Sequence, residues 1–169
     1  VGFPVDTVFE VDIPLTPSGR GATSGAAVTA RLDSVGFTRR WQAVRDGRAR
    51  GVFFGPEDLA SRGEQRVSQL FEGLSDIRVR VTGRFAVVYG DGGRCVMDVW
   101  IDGNQARDVY PVGPSGIDEV VQIRHIAAVE VYSRNSQVPT EFRSAMRVST
   151  GRRFDTRTTE CGAILIWSR

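Results

Sequence analysis

The sequence predicts a single α+β domain, and three stretches carry that prediction. Val67, Leu70, Phe71 and Leu74 fall at the i, i+3, i+4, i+7 spacing of one helical face. Residues 96–102 alternate like a half-buried strand, with Asp91-Gly92-Gly93 before them and Asp102-Gly103 after. Residues 161–169 form a near-continuous apolar run with the β-branched Ile164 and Ile166, the pattern of a strand buried on both faces. At 169 residues the chain has the size of one ordinary domain. Its 41% hydrophobic and 25% charged residues match a packed globular protein rather than a disordered chain.

In chain order, residues 1–30 read as an extended arm and linker, and 31–169 as the folded domain. Within the arm, residues 8–13 alternate like a short strand. Pro14, Pro17, Gly19, Gly21 and Gly25 then mark a loop. Those glycines have the wrong spacing for a dinucleotide-binding turn. Residues 26–35 are expected to form a strand or its end. Gly55 and Pro56 open a helix whose first turn carries Glu57 and Asp58, where the positive end of the helix dipole favours acids. Gly63 interrupts that helix and Gly73 ends its second half. Residues 77–90 and 94–103 are expected to form a strand pair joined at Asp91-Gly92-Gly93. Met97, Val99 and Ile101 share one face of the second strand; Val96, Asp98, Trp100 and Asp102 share the other. Residues 116–133 read as a short helix and a helical turn running into a strand at 129–132. No internal repeat is present.

Cys95 and Cys161 each precede an expected core strand. Strands starting level in one sheet would bring their sulfurs into bonding range. A disulfide there would close a loop of about 65 residues, worth roughly 4 kcal/mol in the chain-entropy model, and would imply an oxidising compartment. Two buried free thiols are the alternative. A structural zinc site wants four cysteine or histidine ligands, and the chain has two cysteines and one histidine, His125. No metal and no cofactor is expected.

An active site is not expected either. His125 lies among apolar residues at a helix-to-strand join and reads as a structural or surface histidine. Asp98 and Asp102 share a strand face about 13 Å apart. Glycosidase carboxylate pairs stand roughly 5 to 9.5 Å apart, and Asp102 fits a turn better. No phosphate-binding loop, nucleophile elbow or zinc-protease helix occurs. No apolar run reaches the 18 residues of a membrane-spanning helix. A transmembrane barrel would consume the whole chain in strands of about ten residues. The chain begins at Val1, which is read as a removed leader or a piece of a longer polypeptide.

All 22 basic residues are arginine, against 20 acids, for a formal charge of +2. A GC-rich genome accounts for arginine over lysine. Arginine also makes bidentate and stacking contacts that lysine does not. Arg39, Arg40, Arg45, Arg48 and Arg50 lie among Phe37, Trp41 and Phe53. Arg39, Arg40, Trp41, Arg45, Arg48 and Arg50, with Arg134, Arg152 and Arg153, are the candidate partner-binding residues. A nucleic-acid surface is disfavoured, because the whole chain is nearly neutral and carries no RNA-binding motif string.

Five strings, in order over about residues 36–169, carry a family resemblance: "GFTRRWQAVRDGRARGVFFGPEDLA", "RVSQLFEGLSDIRV", "CVMDVWIDG", "IRHIAAVEVYSRNSQVPTEF" and "CGAILIWSR". Together they resemble the plug domain of TonB-dependent outer-membrane receptors. More narrowly, they resemble barrel-less plug-like proteins of Gemmatimonadota-type bacteria, often preceded by a carboxypeptidase-regulatory-like β-sandwich. The resemblance implies a plug-like fold, a small mixed β-sheet flanked by short helices, in a periplasmic protein, with Cys95 and Cys161 where that subgroup carries its cysteine pair. Ser75-Asp76 and Ser133-Arg134-Asn135 depart from the family's Pro-Gly and Arg-Gly-Pro turns, residues 144–160 look inserted, and no TonB box is recognisable. The expected function is that of a non-catalytic structural or interaction subunit, docked on a membrane protein complex of the envelope such as a respiratory or photosynthetic one. It would be peripheral to the membrane, held through partners or a removed N-terminal anchor. The alternative is a plug or ligand-binding component of TonB-dependent transport.

Overall fold

The computed structural model describes residues 25–143 and 161–169, apart from residues 64 and 84. Most of the expected arm and the expected insertion at 144–160, with Arg152 and Arg153, lie outside the described residues. The fold is α+β, as the sequence predicts, with four short helices and two sheets among the described residues.

The described residues open with helices α1 (Gly25–Ser34) and α2 (Phe37–Arg45). Helix α1 corrects two expectations. Residues 26–35 are not a strand, and residues 25–30 belong to the folded unit, since Val28 is buried in it. Val28, Leu32 and Val35 are spaced i, i+4, i+7, and this helical stripe outweighs an alternation that the same residues also suggest. Strand β1 (Val52–Phe54) and helix α3 (Pro56–Ala60) follow. Gly55 donates its N–H to the Asp58 carboxylate at 2.9 Å, so the helix starts where the Gly-Pro signal places it. The expected second half of that helix is instead a five-residue 3-10 turn, Val67–Phe71, which still buries Val67, Leu70 and Phe71.

The expected strand at 77–90 is in fact a hairpin of β2 (Arg78–Thr82) and β3 (Phe85–Gly90). A turn at Gly83, with φ of 64°, breaks the run in two. Beyond Asp91-Gly92-Gly93 come β4 (Cys95–Val96), β5 (Asp98–Ile101) and the two-residue β6 (Asn104–Gln105). Helix α4 (Ile117–Val120) and a 3-10 turn then lead into β7 (Ile126–Arg134), and β8 (Cys161–Ser168) completes the fold.

The larger sheet is mixed, in the order β1-β7-β8-β5-β6, with β5 parallel to β8 and the other pairs antiparallel. The smaller, antiparallel sheet runs β2-β3-β4. On one side of the larger sheet Val99, Val129, Val131, Ile164 and Ile166 pack with Phe71, Ile77, Val88 and Met97. On the other side Ala128, Tyr132, Ala163, Leu165 and Trp167 pack beneath α1, α2 and Phe142. Each fully buried side chain of this size contributes about 1.5–3 kcal/mol relative to exposure. A strand covered on both faces cannot alternate, which is why β8 reads as one apolar run.

Cys95 and Cys161 form a disulfide with Cα atoms 5.8 Å apart. The expected arrangement, two strands starting level in one sheet, is corrected: Cys95 lies on β4 of the smaller sheet and Cys161 on β8 of the larger. The chain changes sheets at Met97, whose N–H still reaches Val88 O while the next residue, Asp98, pairs with Ala163. The disulfide therefore ties the two sheets together where the chain crosses between them. Gly162, next to this staple, lies so close to the Tyr132 carbonyl that no side chain fits there.

Candidate docking surface

Helix α2 carries four of the expected contact residues and turns them in two directions. Phe37, Arg40, Trp41 and Val44 share the i, i+3, i+4, i+7 stripe that faces the sheet. Phe37 is buried against Trp41 and Phe53, with ring centroids 5.7 and 5.5 Å away. Trp41 is half-buried and packs on the same cluster. Arg39 and Arg45 point outward.

Arg40 ends at Glu130, a fully buried carboxylate on β7. Its Nε donates to Oε2 at 2.8 Å and its Nη2 to Oε1 at 2.6 Å, a bidentate fork. Tyr132 Oη donates to Oε2 at 2.6 Å, and Trp167 Nε1 to Oε1 at 2.7 Å. Four donors thus converge on two carboxylate oxygens, which saturates them. The guanidinium also lies 5.6 Å from the Phe142 ring centroid and 5.8 Å from that of Trp167. Its Nη1 donates to Val35 O at 3.0 Å, closing the end of α1.

Burial alone would lower the Arg40 pKa, but the hydrogen bond and charge of Glu130 outweigh it and leave it raised. Burial, the Glu130 charge and the bond to Glu130 push the Tyr132 hydroxyl well above the ordinary tyrosine range, with Arg40 opposing in part. The expectation that Arg40 faces a partner is therefore corrected. A buried carboxylate on β7 needs a cation, and among the described residues Arg40 is the one that reaches it. In the sequence, Glu130 sits between Val129 and Val131 with no sign of a charged partner 90 residues away. A glutamate alternating with the Tyr132 position on an otherwise apolar strand is the one visible hint.

Apart from the half-buried Trp41, the remaining expected contacts among the described residues reach the surface. Arg39, Arg45, Arg48 and Arg50 are exposed around α2 and the turn after it. Arg48 pairs with Asp46 at 2.6 Å, and hydrogen bonds from Arg48 and Gln42 hold the Asp46 carboxyl below its ordinary pKa. Arg45 lies 5.9 Å from the Trp41 ring centroid. Arg39, Arg45 and Arg50 have no ion pair among the described residues. Arg134 sits at the disulfide end, bridged to Asp76 at 3.3 Å and Asp91 at 3.4 Å. It belongs to a separate patch from the arginines of α2.

His125 is exposed, and lines a shallow groove of about 370 Å³ with Glu119, Gln122 and Ser168. The Glu119 carboxylate accepts the Gly116 N–H at 3.0 Å, capping α4. Asp102, at φ of 49°, is the turn residue the sequence suggests. Its carboxylate accepts the Ser168 N–H and hydroxyl at 2.9 and 2.7 Å and pairs with Arg31 at 3.0 Å. Asp98 is buried at the start of β5. Among the described residues no group of three histidines, cysteines or carboxylates is placed to hold a metal ion. No described helix is long and apolar enough to cross a membrane. No protein-family model, curated protein or solved structure matches this chain.

Proposed function

We propose that this chain is a non-catalytic interaction subunit of the bacterial periplasm, with a fold like the plug of TonB-dependent receptors. It docks on a membrane protein complex of the cell envelope, such as a respiratory or photosynthetic one. The observation that carries this reading is the construction of α2. Its inner face is fixed to the sheet through Arg40 and Glu130, so the arginines of its outer face are displayed from a rigid support.

A surface held this way loses little conformational entropy when a partner binds. Arginine with neighbouring aromatic groups is the composition that interface centres favour. The Cys95–Cys161 disulfide supports an oxidising compartment. The resemblance of residues 36–169 to plug-like proteins supports the envelope location.

The test is to purify the native protein from membranes in mild detergent and identify what accompanies it by mass spectrometry. A defined membrane complex in fixed stoichiometry is the expected outcome. Recovery of the chain only as a free monomer would sink the proposal, and recovery with an outer-membrane barrel would replace it with a role in transport.

A further inference from the structure

Two shallow clefts adjoin at the end of α4, and both are lined by Val121 and Gln122. They lie on the side of the larger sheet opposite α2, since Val67, Ile123, Ile126 and Ile166, which also line them, belong to the core on that side. The first, of about 270 Å³, is bordered by Gln65, Arg66 and Arg124. The second, the groove of about 370 Å³ beside His125, gathers Ile101, Val120, Ile126 and Ile166. Val120 is 40% exposed, one of the few large hydrophobic side chains left in water among the described residues.

The two described acids that line these clefts are already engaged. The Asp118 carboxylate accepts the Ser68 N–H and hydroxyl at 2.8 and 2.6 Å, and Glu119 accepts the Gly116 N–H. Arg66 and Arg124 are exposed, and neither makes an ion pair among the described residues. The backbone N–H of Gln122 also bonds no described residue. The capacity left over in the first cleft is that of cationic and amide donors, which calls for an anionic acceptor. The isoleucines and Val120 of the second call for an apolar group.

The shape of the site separates a peptide from a small molecule. A small-molecule site encloses most of its ligand in a concave pocket, whereas these two clefts are open to solvent and run into each other. Between them the backbone is extended, with φ and ψ of −129° and 138° at Val121 and −114° and 137° at Gln122. A second extended chain can run alongside such a segment, its main chain meeting the Gln122 N–H and its side chains entering the clefts on either side. We infer that the paired clefts bind an extended segment of a partner protein, with acidic residues at one end against Arg66 and Arg124 and apolar residues at the other in the groove beside Val120. This site is separate from the arginine face of α2, so it stands or falls independently of the docking proposed there.

The test is a nuclear magnetic resonance titration of the intact, disulfide-bonded chain with blocked peptides of two glutamates joined to three valines, made in both orders. One order should give saturable shifts at the Gln122 amide and at the side chains of Arg66 and Arg124. Replacing the glutamates by glutamine should weaken binding about tenfold, as should Arg66→Glu with Arg124→Glu. Val120→Glu should weaken it to a similar extent from the apolar end. All three positions are exposed, and unchanged amide shifts in β7 and β8 verify that the variants keep the fold. Absence of shifts with either order would overturn the inference, as would glutamine peptides that bind equally well. Octanoate, an apolar carboxylate without a peptide backbone, should bind at least about tenfold more weakly; equal binding would also overturn the inference, by assigning the clefts to a small molecule.

Discussion

Arg39 and Arg40 are neighbours on α2 and have opposite fates. One step along the helix turns a side chain by about 100°, enough to carry Arg40 beneath the helix to Glu130 while Arg39 stays in water. The comparison shows that arginine density in this region reports two things at once. Below α2 the charge completes a buried network with Glu130, Tyr132 and Trp167, where an unpaired ion is costly. Above α2 the same residue type is solvated, contributes little to folding, and remains available to another molecule.

Four variants separate these faces. The largest effect is expected from Arg40→Ala, which strands the buried Glu130 carboxylate and should cost about 3–5 kcal/mol in chemical denaturation. The joint change Arg40→Leu with Glu130→Leu should recover much of that loss, because an apolar pair needs no counter-charge. If the single and joint variants unfold alike, the pair is not the element that fixes α2.

Tyr132→Phe comes next, at about 1.5–3 kcal/mol for a lost hydrogen bond to a charged acceptor. It also carries a pH signature. The folded chain holds the Tyr132 proton to higher pH than the unfolded chain does. Below about pH 10 both states are protonated and the contribution is whole; above it the unfolded state releases the proton first, so stability falls as pH rises. Melting temperatures followed from pH 8 to pH 11 should decline less steeply for Tyr132→Phe than for the wild type.

The smallest effect on folding is expected from Arg39, Arg45 and Arg50 changed together to glutamate. Stability should stay within about 0.5 kcal/mol at each site, while the proposed docking on a membrane complex should be lost in co-purification. Retention of that complex would move the docking surface off α2, with the Arg134 patch at the disulfide end the next to test.

Much of the fold is legible in the sequence because the signals are local. The Gly-Pro start with Asp58 capping, the helical stripe at Val67, Leu70 and Phe71, and the turn at Asp102 each depend on residues within one or two turns of chain. The errors arose where local patterns admit two readings. Val28, Leu32 and Val35 satisfy a helix, yet the same stretch passes for a strand, and packing against Ala127, Ala128 and Tyr132 settles it. Residues 77–90 have the length of one strand, and only the pairing of Val79 with Val88 reveals two. Of the surface, the arginines at 39, 45, 48 and 50 were readable from composition alone, whereas the inward turn of Arg40 was not.

By itself, the sequence determined the α+β class, the burial of β8, the breaks at glycine, and a cysteine pair placed before two core strands. Each of these follows from backbone preference or hydrophobic period, which act over a few residues. Tertiary structure alone decided that Cys95 and Cys161 join two different sheets, and that one arginine of α2 pairs with Glu130. Such contacts are set by the three-dimensional arrangement of strands far apart in the chain, and no local preference encodes them.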